Sequence, residues 1–222
     1  MQKEQLENYL KNDSFKFDKI DNKEKAYIIG FMLGDSYISE KKDVELKIAL
    51  RDKEVIEYIS NIVKSNFQTS NILDKKKRRF PFVKMSKRIE DITKFTGGNL
   101  KKDRHYPIVR NDLEKYLLLG FFDAEGCVTF GHRKDRNRLW QKVSFTSSFS
   151  ILVGLQQFLL KKLNISTALR KKINEDCYVL DICSKENVKT IIDYMYSDLV
   201  VLKRKFEKCN ALRQELGEIG ES

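Results

Sequence analysis

Two acidic residues, Asp35 and Glu125, close the two copies of a repeated apolar segment. The stretch Tyr27-Ile28-Ile29-Gly30-Phe31-Met32-Leu33-Gly34-Asp35-Ser36 returns as Leu117-Leu118-Leu119-Gly120-Phe121-Phe122-Asp123-Ala124-Glu125-Gly126, at a constant offset of 90 residues. Each copy has a small residue at its middle, a second small residue four positions later, and the acid directly after it. A carboxylate at a helix C-terminus is disfavoured by the roughly half negative charge there. Two carboxylates close together also repel, so that one tends to hold a proton. A divalent cation removes both difficulties, and oxygen ligands of this kind suit Mg²⁺ and phosphoryl chemistry. One such acid alone reads best as a cap on an exposed helix end; two in register read as a metal site.

The elements that must position these acids follow from the same residues. Tyr27–Leu33 and Tyr116–Phe122 are apolar on all sides, the pattern of a buried helix. Gly30 with Gly34, and Gly120 with Ala124, are four apart and share a helix face, which lets two helix backbones come close. Two equivalent helices meeting through these faces would set Asp35 and Glu125 side by side. Repetition of this kind fixes the architecture of the whole chain.

The bulk properties set the class. The 222 residues suffice for one large domain or two small ones, and 41% are hydrophobic, enough for an ordered core. Forty-three Lys and Arg against 32 Asp and Glu give a net charge of +11 and a pI near 9.3, so a polyanion is the natural partner. Cys127, Cys177, Cys183 and Cys209 contain no Cys-x-x-Cys pair, and only His105 and His132 could complement them. Neither a structural zinc nor a disulfide framework is expected. The start Met1-Gln2-Lys3-Glu4-Gln5 is too charged for a signal peptide, and no apolar run reaches membrane-spanning length. A soluble, unsecreted protein is expected, in the cytoplasm, nucleoid or an organelle matrix.

The order helix, two strands, helix, two strands, helix occurs twice along the chain. In the first half, Ser39–Leu50 reads as a hairpin turning at Glu40–Asp43. Asp52 reads as the N-cap of an amphipathic helix through Val55, Ile56, Ile59, Ile62 and Val63. A second hairpin spans Asn71–Met85, and a short helix near Ile89–Phe95 ends at Gly97-Gly98. In the second half, strands are expected at Cys127–His132, Leu139–Ser147, Ala168–Ile173 and Tyr178–Cys183. Helices are expected over Ile151–Leu163, through Val188–Met195, and over Leu202–Leu216. Hairpins imply antiparallel sheets. The fold class is α/β of the α+β kind, with repeats over 1–98 and 112–222 and a linker over 99–111 broken at Pro107.

The doubled motif resembles that of the LAGLIDADG homing endonucleases in their single-chain, two-repeat form, from about Lys25 to about Gln214. The resemblance implies two pseudo-symmetric αββαββα repeats packed through the two motif helices, with the antiparallel sheets forming a DNA-binding saddle. It implies that Asp35 and Glu125 bind the catalytic Mg²⁺ (or Mn²⁺), with the backbone carbonyls of Gly34 and Ala124 as further ligands. Two positions depart from the pattern: Leu33 stands where the second copy has Asp123, and Ser36 replaces the usual glycine. The family also places a basic residue near the scissile phosphate. Leu100-Lys101-Lys102 and Leu202-Lys203-Arg204 follow the last helices of the two repeats, which assigns Lys101 and Lys203, with Lys205 as rival to the latter.

A two-stranded ribbon fits the major groove and can present side chains to base edges. The candidate DNA contacts are Lys47, Arg51, Lys75, Lys77, Arg79 and Lys84 in the first half. In the second they are Arg133, Arg138, Gln141, Lys142, Arg170 and Lys172. Any one of them alone reads equally well as a solvated surface charge; their concentration in both halves favours DNA. The halves have diverged, since the first turns over Glu40–Asp43 and the second over the longer basic loop Arg133–Arg138. The expectation is therefore a monomeric, metal-dependent endonuclease that cuts both strands of a long non-palindromic target. The alternatives are a maturase acting on its host intron RNA, or a DNA-binding protein of the same fold without catalysis. A basic ribosome-associated protein leaves the repeat unexplained.

Overall fold

The computed structural model describes residues 15–73, 79–133, 138–173 and 175–218. Asn22 starts the first motif helix, α1 (Lys23–Asp35): its side chain accepts a hydrogen bond from the Lys25 amide at 2.8 Å, satisfying one amide that a helix start leaves open. Every residue of α1 from Ala26 to Gly34 is buried. The fourth helix in chain order, α4 (Glu114–Glu125), is buried from Tyr116 to Asp123 and lies against α1 at the centre of the molecule.

The two helices meet backbone on backbone. A Cβ on Gly30 would collide with the Leu117 carbonyl oxygen and lie 2.9 Å from the Phe121 nitrogen. One on Gly120 would collide with the Tyr27 carbonyl oxygen and lie 2.9 Å from the Phe31 nitrogen. These partners are related by the 90-residue offset of the sequence repeat, so the helices cross about a pseudo-twofold axis.

Around this pair the halves share one order. The first runs β1 (Phe15–Lys16), α1, β2 (Tyr37–Ile38), β3 (Asp43–Ala49), α2 (Lys53–Val63), β4 (Phe67–Leu73), β5 (Arg79–Glu90) and α3 (Ile92–Thr96). The second runs α4, β6 (Gly126–Arg133), β7 (Arg138–Ser147), α5 (Phe149–Leu163), β8 (Leu169–Lys171), β9 (Tyr178–Ile182) and α6 (Lys185–Met195), followed by α7 (Lys203–Glu218). Antiparallel sheets of order β2-β3-β5-β4 and β6-β7-β9-β8 result, the same in both halves.

Several features depart from the expectation: β4 starts at Phe67, β5 continues to Glu90 through Ile89, where the sequence predicts a helix, and Asp52 precedes α2 without a side-chain capping bond. The first sheet is not purely antiparallel: β1 adds parallel to the end of β5, with Phe15 beside Ile89. It does so because β5 outruns β4, whose pairing stops at Met85. Leu50 leaves the expected strand for a 3-10 turn, Leu50–Asp52, that leads into α2.

One face of each sheet is apolar by strict alternation. Val44, Leu46 and Ile48 on β3, Val83 and Met85 on β5, and Val143 and Phe145 on β7 are all buried. Helices α2 and α5 cover those faces through Val55, Ile56 and Ile59 and through Ile151, Leu152 and Leu155. Each such side chain contributes about 1.5–3 kcal/mol on burial. The alternate residues of β3, β5 and β7, among them Lys47, Arg88 and Trp140, face solvent, which leaves an open face on each sheet. Among the described residues no helix is long and apolar enough to cross a membrane.

Candidate nucleic-acid interface and metal site

The C-terminal ends of α1 and α4 touch. A Cβ on Gly34 would lie 2.6 Å from the Ala124 Cβ and also meet the Glu125 side chain, so the acids following Gly34 and Ala124 are neighbours. The Glu125 carboxylate is only 16% exposed and is paired with the Lys101 ammonium. Asp35 is pushed up to about 6, first by burial of its carboxyl and then by the Glu125 charge, while Lys101 and Lys205 pull it back. Two mutually repelling carboxylates, both oxygen donors, are therefore held close together. Among the described residues no group of three or more His, Cys, Asp or Glu could hold a metal. Mg²⁺ is commonly bound through only one or two carboxylates, its remaining ligands coming from water and phosphate.

A helix C-terminus presents unsatisfied carbonyls and negative charge. Here each motif helix ends on a buried cation. Arg104, 1% exposed, donates from Nη1 to the Met32 carbonyl at 2.7 Å and from Nη2 to the Ser36 carbonyl at 3.1 Å. Lys205 donates from Nζ to the carbonyls of Phe122 at 2.6 Å, Asp123 at 2.8 Å and Gly126 at 2.6 Å. Met32 and Phe122, and Ser36 and Gly126, are 90-residue equivalents, so Arg104 and Lys205 are pseudo-equivalent plugs. Burial lowers both cations' pKa, Arg104 to about 10. Neither role was legible in the sequence, where both residues sit in charged runs that read as solvated.

This geometry changes the lysine pairing. The Arg104 amide bonds the Lys101 carbonyl just as the Lys205 amide bonds the Leu202 carbonyl. The structural counterpart of Lys101 is therefore Leu202. Lys203 is exposed, its amide donates to Glu54 Oε1 at 2.7 Å, and it borders a separate groove with Leu50, Arg51, Glu54 and Tyr58. The structure brings Lys101 to the carboxylates and does not bring Lys203.

Beside Asp35 lies a cavity of about 230 Å³ lined by Lys47, Asp52, Asp123, Leu202, Arg204 and Lys205, among others. Both oxygens of Asp52 hold Arg204, the Nη2 contact at 2.6 Å. The Leu33 departure has a partner too: Tyr27 donates its hydroxyl to Asp123 Oδ2 at 2.8 Å across the helix interface. Their equivalents, Leu117 and Leu33, are both buried leucines. A polar pair in one place is matched by an apolar pair in the other. Burial pushes Asp123 up to about 7 against the pull of Lys205, the Tyr27 hydroxyl and the Leu202 amide. The other departure, Ser36, donates its hydroxyl to the Met32 carbonyl at 2.6 Å and accepts from Arg104.

The expected DNA contacts divide by strand alternation. Lys47 and Lys84 face each other on the solvent side of the first sheet, with Lys47 over the Phe82 ring and Lys84 paired to Glu45 at 2.7 Å. Lys142 and Arg170 share Asp181 on the second sheet. Lys172, beyond β8, pairs with Glu175 at 3.1 Å. Arg51 is exposed beside Asp52. Gln141 belongs elsewhere: it alternates out of step with Lys142 and donates to the Cys183 carbonyl at 2.8 Å. Arg79, Arg133 and Arg138 end their strands, and Lys75 and Lys77 lie outside the described residues. Exposed Arg88, in register with Asp43, and half-exposed Trp140, opposite Gly131, join the solvent faces. Neither was singled out from sequence, though period-two counting from Lys84 and Lys142 points to both.

Residues 112–195 match the sequence family described as a LAGLIDADG-like domain. No curated protein matches the chain. Among solved structures, the LAGLIDADG meganuclease I-AabMI bound to uncleaved DNA superposes with a TM-score of 0.61 at 14% identity, over 90% of this chain and 92% of that one. The homing endonuclease I-WcaI bound to its DNA recognition sequence gives 0.61 at 14% identity over 90% and 91%. I-LtrWI, a LAGLIDADG homing endonuclease bound to target DNA, gives 0.60 at 12% identity over 89% and 91%. Residues 112–195 are thus similar in sequence to the LAGLIDADG-like domain, and about nine-tenths of the chain shares the fold of LAGLIDADG meganucleases and homing endonucleases.

Proposed function

We propose that this protein is a divalent-metal-dependent endonuclease that binds a long non-palindromic DNA duplex along its two sheets and hydrolyses one phosphodiester in each strand. The observation that carries the reading is the meeting of Asp35 and Glu125 between two open, cation-bearing sheet faces. Asp35, Glu125 and the carbonyls of Gly34 and Ala124 would hold Mg²⁺ or Mn²⁺. Bound there, the metal supplies Lewis-acid polarisation of the phosphate and a more acidic water. The chain's own residues do the rest. Arg104 and Lys205 neutralise the helix ends, so Asp35 and the Glu125–Lys101 pair are the charged groups left facing the substrate. Lys47, Lys84, Arg88, Lys142 and Arg170 bind the phosphate backbone and base edges, and divergence between the halves suits an asymmetric site read by one chain.

Selection of cleaved sites from a randomised duplex library in Mg²⁺ tests the reading. A single asymmetric consensus is expected, and Asp35→Asn or Glu125→Gln should abolish its cleavage while binding in Ca²⁺ persists. Binding without cleavage by the parental protein would instead mark a binding module, and preference for structured intron RNA over duplex DNA would favour the maturase reading.

A further inference from the structure

Asp181 is out of place on a face that meets a polyanion. It lies on the solvent side of β9, opposite Ser144 of β7, yet its side chain is only 14% exposed. Arg170 of β8 donates from Nη2 to Asp181 Oδ2, and the Lys142 ammonium stands 3.5 Å from Oδ1. A phosphate would be repelled by this carboxylate, and an ion pair whose arginine is 66% exposed adds little to stability. What the carboxylate does is hold a guanidinium. That group carries five N–H donors in a rigid fork, and anchoring one amino group leaves the rest of the fork, in a fixed plane, to an outer partner.

The first sheet shows what differs between the halves. Tyr37 and Cys127 each follow the motif acid by two residues. They pair with Glu45 and Ser144, which pair in turn with Ser86 and Asp181. Two residues before Ser86 and Asp181 stand Lys84 and Val179, opposite Gln68 and Arg170 respectively. Exposed Gln68 is therefore the topological counterpart of Arg170. Glutamine forks onto N6 and N7 of adenine and arginine onto O6 and N7 of guanine, both in the major groove. The two halves thus present different letters of one code at equivalent places.

We propose, resting on the reading above only in that the sheets bind duplex DNA, that Arg170 reads a guanine under the second sheet and that Asp181 is its positioning residue. Unanchored, the guanidinium would turn to the nearest phosphate and bind without regard to sequence. Anchored, it offers a donor pair matched to the guanine edge. Asp181 gives up some attraction for DNA in general and gains discrimination at one base pair.

The test is binding in EDTA, so that neither metal nor cleavage enters. Duplexes are enriched from a randomised library on the parental protein, on Arg170→Gln and on Asp181→Asn. The parental consensus should contain a guanine that Arg170→Gln loses. Placing 7-deazaguanine there, which lacks the N7 acceptor, should weaken parental binding by about fivefold or more and Asp181→Asn binding by less. Asp181→Asn should also bind an unrelated duplex at least as tightly as the parent, because it lifts a negative charge from the face. A merely structural role would lower affinity for every duplex alike, together with Tm, and that result would overturn the assignment of Asp181. An unchanged consensus from Arg170→Gln, or a parental consensus without guanine, would overturn the base contact. Each of these leaves the DNA-binding reading in place; failure of the parental protein to enrich any duplex would sink that reading and the proposal with it.

Discussion

Replacing Gly30 with alanine asks whether the motif helices touch through bare backbone. In an ordinary helix the change is stabilising by about 1 kcal/mol. Here the new methyl meets the Leu117 carbonyl oxygen and the Phe121 nitrogen, neither of which can rotate away as a side chain would. The helices must separate or tilt by a sizeable fraction of an ångström, and overpacking of a close-packed core costs about 1–3 kcal/mol, at the upper end when the wall is backbone. The net expectation is a loss of about 2 kcal/mol, or about 4–8 °C in Tm for a chain this size. Gly217 is the control: it lies in α7 with nothing within 4 Å of the point an added methyl would occupy, so Gly217→Ala should hold or raise Tm. Because Gly30 and Gly120 share one contact, Gly30→Ala with Gly120→Ala should cost less than the sum of the singles. Calorimetry of the four variants reads all of this. Cleavage should fall more than stability does, since misplacing reacting groups by about 1 Å costs roughly a hundredfold. If Gly30→Ala behaves like Gly217→Ala, the backbone contact does not exist and the placement of Asp35 beside Glu125 loses its support.

Other expectations follow from the remaining contacts. Lys205→Met takes a donor from three buried carbonyls, of which that of Phe122 keeps the Gly126 amide, and should cost about 2 kcal/mol or more, whereas Lys203→Met on the surface should stay within about 0.5 kcal/mol; thermal melts compare them. Log affinity for the duplex should fall with log salt by about 0.9 per phosphate contact, and Lys47→Gln or Arg88→Gln should each flatten that slope measurably in fluorescence anisotropy. Asp198 is held down to about 2 by the Tyr116 hydroxyl, at 2.5 Å, and by Lys115. A depressed carboxyl stabilises the fold above its unfolded pKa of about 3.8 and ceases to do so as pH falls through about 2. The Tm advantage over Asp198→Asn should therefore be full at pH 6 and disappear between pH 4 and pH 2.

What the sequence disclosed, and what it withheld, divides along a physical line. The motif helices were legible because burial on all sides leaves an unmistakable apolar run, and their contact because only small residues at a four-residue spacing admit it. The helix α5 and the strands around it were legible through periodicity. The lysine register was not: the motifs repeat at 90 residues, but Arg104 and Lys205 are 101 apart, because the intervening loops differ in length. Aligning on the leucines of Leu100-Lys101 and Leu202-Lys203 slips by one residue, which on a turn is a different direction in space. Arg104 was missed for a related reason, since its partners are carbonyls contributed by another segment and leave no trace in side-chain identity. Gln141 was recoverable: placing it with Lys142 on one strand face contradicts the period of two that located the strand.

The hydrogen bond from Tyr27 to Asp123 also bears on how the halves could be exchanged. A duplicated first half would set Tyr27 against Leu33, leaving a buried hydroxyl with no acceptor from that position. A duplicated second half would set Asp123 against Leu117, twice over, with a buried carboxyl facing hydrocarbon. Burying an unpartnered polar group costs at least about 1–3 kcal/mol, and a charged one more. Each half thus accepts the other and rejects itself. The pair acts as a handedness key between two nearly identical surfaces, and it commits the chain to remaining a fusion of unlike parts.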